Sequence, residues 1–82
     1  MSRVSELAET SMQREAGEGA AMFDLKLNYI SSPDGTEEMR AVSRIVHAGR
    51  RTIVTECRIE TTDGRLVATA SGTFAVSTEQ EN

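Results

Sequence analysis

Residues 40–76 read RAVSRIVHAGRRTIVTECRIETTDGRLVATASGTFAV. Extended runs rich in Val, Ile, Thr and Ala are broken at Ala48-Gly49-Arg50 and again at Asp63-Gly64. An Asp-Gly between alternating apolar runs is a strong short-range hairpin signal. The stretch therefore predicts consecutive antiparallel strands joined by tight turns. In the strand after Arg51, Ile53, Thr55, Cys57 and Ile59 share one face, and Glu56, Arg58 and Glu60 share the other. In the last strand Leu66, Ala68, Ala70, Gly72, Phe74 and Val76 alternate with Val67, Thr69, Ser71 and Thr73. The Ala68-Ala70-Gly72 run has no bulk, so another element is expected to approach closely there, and a helix over residues 3–16, with its own Ala8 and Ser11, is the obvious candidate. The strand of about Glu38 to His47 is apolar on both sides. Val42 and Val46 accompany Arg40 and Arg44, while Met39, Ala41 and Ile45 lie opposite. Such a strand is expected to be covered by a helix on one side and by a subunit on the other.

Upstream, the period is again two from Met22. Phe23, Leu25, Leu27 and Tyr29 are expected on one face, with Asp24, Lys26 and Asn28 on the other. Ser31-Ser32-Pro33-Asp34-Gly35 is dense turn chemistry. Before Met22 the period is helical. Val4, Leu7, Ala8, Ser11 and Met12 make an i, i+3, i+4, i+7, i+8 stripe, Ser2 can cap it, and Gly17-Glu18-Gly19 stops it. The spacing predicts one helix over about Arg3 to Ala16. The fold class is α+β: one helix packed on an antiparallel sheet of about four strands. Residues 1–77 form a single domain and residues 78–82 a polar tail.

With 82 residues, no Trp, two Phe and one Tyr, the core is thin. Association through sheet edges or a helix face is the natural supplement, so an oligomer is expected. The net charge of −4 argues against broad nucleic-acid binding, which needs a basic field. Arg40, Arg44, Arg50, Arg51, Arg58 and Arg65 nevertheless lie together in the strand-rich region, which suits a local anion site. The single Cys57 excludes an intramolecular disulfide and a cysteine-cluster metal site, and no metal is expected. Cys57 itself falls on an apolar face, where a thiol is buried and inert. No apolar run has the length of a membrane span and no hydrophobic leader opens the chain. A soluble, cytoplasmic protein without membrane contact is the expectation.

The order helix, LKLNYISSP, RAVSRIVHAGRR, DGRLVATASGTFAV resembles the hotdog-fold acyl-CoA thioesterases of the phenylacetate-degradation type. The likeness runs from about Leu7 to Val76. It implies a central helix wrapped by an antiparallel sheet, a homodimer or dimer of dimers with active sites at subunit boundaries, and coenzyme A as part of the substrate rather than as a cofactor. It also implies a catalytic carboxylate within the helix. The matching segment is Leu7-Ala8-Glu9-Thr10-Ser11-Met12, which puts Glu9 in that place. A carboxylate in a half-dry cleft can activate water or attack the thioester carbonyl. The family's His-Gly-Gly segment and first strand would fall at or before Met1-Ser2-Arg3, so a shortened member or a fragment is expected.

Each candidate residue has a second reading. Glu9 is either the catalytic carboxylate or a solvent-facing helix residue, and Thr10 either orients it or packs. In the turn, His47, Gly49, Arg50 and Arg51 are either a site for coenzyme A phosphates or a hairpin with glycine at positive φ and two solvated arginines. His47 has no evident partner acid or nucleophile. Asn28 lies on the strand that resembles the family's subunit-contact strand. Two functions follow: acyl-CoA hydrolysis, or a non-catalytic hotdog module that binds an acyl or CoA ligand or only oligomerises.

Overall fold

A computed structural model of the chain describes residues 3–31 and 38–76. The expected Ser2 cap, residues 32–35 of the proposed turn and the 78–82 tail lie outside the described residues. Helix α1 (Arg3–Ala16) has the predicted bounds and buries Val4, Ala8 and Met12, with Leu7 and Ser11 half-buried beside them. It stops at Gly17, whose φ of 103° suits glycine and whose amide donates to the Gln13 carbonyl at 2.9 Å. The Gln13 side chain then donates to the carbonyls of Gly17 at 3.0 Å and Ala20 at 2.7 Å. One amide thus satisfies carbonyls at the helix end and fastens that end to the first strand.

Strands β1 (Ala20–Tyr29), β2 (Met39–Ala48), β3 (Thr52–Thr61) and β4 (Leu66–Val76) form one antiparallel sheet in the order β1-β4-β3-β2. β3 behaves as predicted: Thr55, Cys57, Ile59 and Thr61 are buried towards the helix. The β3–β4 hairpin is closed by Gly64, at φ 98°, whose amide donates to the Thr61 carbonyl at 2.9 Å.

Strict alternation fails at one residue in each of the other strands, where a bulge places two residues opposite one. In β1 the pairing passes from Met22 opposite Phe74 to Asp24 opposite Thr73. Phe23 is skipped, so it does not share the face of Leu25 and Leu27, and it is 65% exposed. Met22 joins that face instead. In β2 the pairing passes from Ile45 to His47, which removes Val46 from the Arg40–Val42–Arg44 face expected for it. In β4, Ile59 pairs with Ala68 but Glu60 with Leu66. Val67 is the skipped residue and is fully buried, whereas Leu66 belongs to the opposite side from Ala68, against expectation.

Phe74, Met12, Ile59 and Val67 are the large buried side chains, each stabilising the fold by about 1.5–3 kcal/mol. The helix lies mainly across β2 and β3 rather than squarely on β4. The hydroxyls of Ser11 and Ser43 meet at 2.6 Å where it crosses β2. It reaches β4 through Met12. A Cβ on Gly72 would stand 3.3 Å from the end of that side chain and 3.1 Å from Met22. The lack of bulk in β4 thus makes room for two methionine tips.

Candidate active site

Because Val4, Ala8 and Met12 turn inward, Glu9 and Thr10 emerge on the free side of α1, and both are exposed. Ser5, one turn earlier, donates from Oγ to Glu9 Oε2 at 3.3 Å. Glu9 and Thr10 border a shallow depression of about 530 Å³ that continues along Gln13, Arg14, Gly17 and Glu18. Sequence reasoning did not single out Gln13 or Arg14. Their signal was position: Arg14 lies in the last helical turn, where a cation suits the helix dipole and sits five residues beyond Glu9. The half-dry cleft expected around Glu9 is not formed by one chain's described residues.

The basic turn is tightly held at its backbone. The Gly49 amide donates to the Thr52 carbonyl at 2.8 Å, and the Arg51 carbonyl accepts from the Val76 amide at 2.9 Å. Gly49 does not have a positive φ, which corrects the hairpin reading that required one. A Cβ there would make only ordinary contacts, 3.4 Å from His47 Nε2 and 3.5 Å from the Thr52 carbonyl oxygen. Arg50 and Arg51 are exposed and have no ion-pair or hydrogen-bonding side-chain partner among the described residues. The arginines of β2 and β3 differ. Arg40 and Arg58 meet Glu60 at 3.6 and 2.7 Å, and Arg44 meets Glu56 at 3.1 Å.

The helix covers one face of the sheet, and the other face carries Asn28, opposite Thr69, and His47, opposite Val54. Asn28 borders a separate depression of about 380 Å³ with Lys26, Glu56, Arg58, Thr69 and Ser71. The expected site residues thus occupy three places in one chain: Glu9 with Thr10, the turn with His47, and Asn28 alone. The C-terminal end of the helix, beyond Glu9 and Thr10, is connected to the turn through β1 and β4. Gly17 to Ala20 leads from the helix into β1, Ala20 pairs with Val76, and Val76 bonds to Arg51. Among the described residues no group of His, Cys, Asp and Glu could hold a metal ion, and no helix is long and apolar enough to cross a membrane.

The sequence pattern of the thioesterase superfamily matches residues 3–68, and the chain belongs to that superfamily. Solved structures agree. A Bacillus halodurans protein solved with CoA is 32% identical over 89% of this chain and 52% of its own, with a TM-score of 0.69. A conserved Pseudomonas aeruginosa protein is 40% identical over 71% of this chain and 45% of its own, with a TM-score of 0.65. A Streptococcus mutans protein bound to acetyl CoA is 28% identical over 71% of this chain and 47% of its own, with a TM-score of 0.68. One helix on a four-stranded antiparallel sheet is their hotdog fold. The chain spans about half the length of these relatives. No curated protein matches the sequence.

Proposed function

We propose that this chain is an acyl-CoA thioesterase of the phenylacetate-degradation type, with Glu9 as general base or nucleophile and Arg50 and Arg51 as the holders of the coenzyme A phosphates. One observation carries the reading: an exposed helix carboxylate and two guanidinium groups without a side-chain partner among the described residues belong to a superfamily fold whose solved relatives include CoA and acetyl CoA complexes. As base, Glu9 takes a proton from water as the oxygen attacks the thioester carbon. The C–S bond then breaks, the thiolate recovers the proton, and the products are a carboxylic acid and free coenzyme A. Thr10 stands beside Glu9 to orient it, and Gly49 lets the ligand approach the turn backbone. The reading includes a homodimer or dimer of dimers in the cytoplasm, in which a second subunit closes over Glu9. Phe23, Ile30 and Tyr29 at the β1 edge, at 65, 57 and 53% exposure, support that association.

The exposure of Glu9, with Ser5 as its hydrogen-bond partner, supports the second reading, a module that binds CoA or oligomerises without catalysis. Hydrolysis of short, long and aromatic acyl-CoAs by the unmodified chain and by Glu9→Gln separates them. Loss of a general base typically costs about 100- to 10,000-fold. The expected result is turnover reduced on that scale with CoA binding retained. Turnover that survives Glu9→Gln overturns the assignment, and binding without turnover in either protein establishes the module.

A further inference from the structure

We propose that Ser5 is a positioning residue for Glu9, holding one carboxylate oxygen so that the other is presented to take a proton from water. This rests on the reading of Glu9 as general base and specifies how an exposed side chain is kept in place for that work. The Ser5 hydroxyl donates to Glu9 Oε2 at 3.3 Å from one helical turn earlier. Residues four apart lie one above the other on a helix, and long side chains lean back towards its N-terminus, so the backbone favours this meeting. Glu9 belongs to none of the ion pairs, and its Oε1 has no partner among the described residues. The two oxygens are therefore unequal. One is engaged as an acceptor, and the other is available to the substrate.

The neighbours of Glu9 show why the task falls to Ser5. Gln13, one turn further along the same row, sends its amide to the carbonyls of Gly17 and Ala20 at 3.0 and 2.7 Å. It is committed to joining the helix end to β1, and it puts the row Ser5–Glu9–Gln13 on the β1 side of the helix. Ser11, on the other flank, meets Ser43 of β2. Ser5 is half-buried and Glu9 exposed, so the donor is set into the surface and the acceptor stands out from it. An untethered glutamate on a surface keeps much of its rotamer freedom. A base must stand within hydrogen-bond reach of the proton it removes, and small misplacements are costly. At 3.3 Å the contact is longer than the usual O–H···O separation of about 2.7–2.8 Å. Hydrogen bonds of catalytic groups are often long without ligand and tighten when substrate is bound.

The test is a double-mutant cycle on the full chain: Ser5→Ala, Glu9→Gln and both together, with Ser5→Thr as the conservative variant. Ser5→Ala should lower kcat for acyl-CoA hydrolysis by about three- to tenfold, the scale of one hydrogen bond, while KM moves by less than about twofold. Ser5→Thr keeps the hydroxyl and should restore most of the loss. In the Glu9→Gln chain, Ser5→Ala should change nothing further, because the effect runs through the carboxylate. Alanine is the better helix former, so lower turnover in Ser5→Ala does not come from weaker helix propensity. Proton NMR of the Glu9 γ-methylene gives a readout apart from catalysis. Its two protons should have distinct shifts in the unmodified chain and in Ser5→Thr, and averaged ones in Ser5→Ala. Unchanged kcat or unchanged methylene signals in Ser5→Ala, an equal loss in the Glu9→Gln background, or no recovery in Ser5→Thr overturns the positioning role. Turnover that survives Glu9→Gln, or is absent from the unmodified chain, overturns it together with the reading of Glu9 as base. The methylene signals then show whether the tether exists without the catalysis.

Discussion

Among the described residues, Arg50 and Arg51 differ from Arg40, Arg44 and Arg58 in having no glutamate to neutralise them. A guanidinium already paired on a sheet surface gives up that pair to bind a phosphate, and exposed pairs are worth roughly 0–1 kcal/mol. An unpaired one gives up only its hydration. Hydrogen bonds to charged groups contribute about 1.5–3 kcal/mol each. Changing both turn arginines to alanine should therefore weaken CoA binding by about 100-fold or more in calorimetry. Added salt should weaken binding to the unmodified chain. Binding indifferent to both treatments would leave the turn with no ligand role. At the opposite hairpin, the Thr61 hydroxyl donates to the Asp63 carboxylate and accepts from the Arg65 amide at 3.0 Å. That hydroxyl, foremost among several causes, lowers the Asp63 pKa below its ordinary 3.8. A lowered folded-state pKa means that the folded chain binds fewer protons than the unfolded one in acid. The stabilisation is thus fully present above 3.8 and lost as pH falls through the folded value. Thr61→Val should raise the Asp63 pKa, as read by carboxyl NMR titration. An unchanged titration would assign the shift to the loop backbone instead.

Between elements, the contact that sequence alone located was the absence of side-chain bulk in β4. It announced that something approaches, and Gly72 receives the ends of Met12 and Met22. It did not announce that the helix leans over β2 and β3, because the Ser11–Ser43 contact joins two hydroxyls that carry no apolar signal. Gly72 has no positive φ, so alanine there meets no backbone penalty, and lower unfolded-chain entropy favours it by about 0.4–1 kcal/mol. Against this, the methionine tips must yield by a few tenths of an ångström, which flexible side chains can do. Gly72→Ala should accordingly change stability by less than about 1 kcal/mol. Gly72→Val should cost about 1–3 kcal/mol through overpacking. Urea unfolding of both variants checks the pair of values, and equal behaviour would show that the methionines do not limit the space.

At the scale of the whole molecule, the order and type of every element were legible, because the change from helical to two-residue periodicity is written in Val4, Ala8 and Met12 and then in Leu25 and Leu27. What was not legible was the parity of the strands. Phe23, Val46 and Val67 are all apolar, so the pattern gave no sign that each is skipped in its ladder. The candidate site was legible as residue types but not as an assembly, since Glu9 and the basic turn occupy separate places in one chain. The three skipped residues also bear on how strands of this shape tolerate insertions and deletions. Losing a residue elsewhere in a strand exchanges inside for outside along everything beyond the loss. Losing Phe23 would join Met22 to Asp24, inward then outward, and leave every other side chain on its present face. The same holds for Val46 between Ile45 and His47, and for Val67 between Leu66 and Ala68. A one-residue gap in an alignment of these strands belongs at those positions, where length can vary without turning the core to solvent.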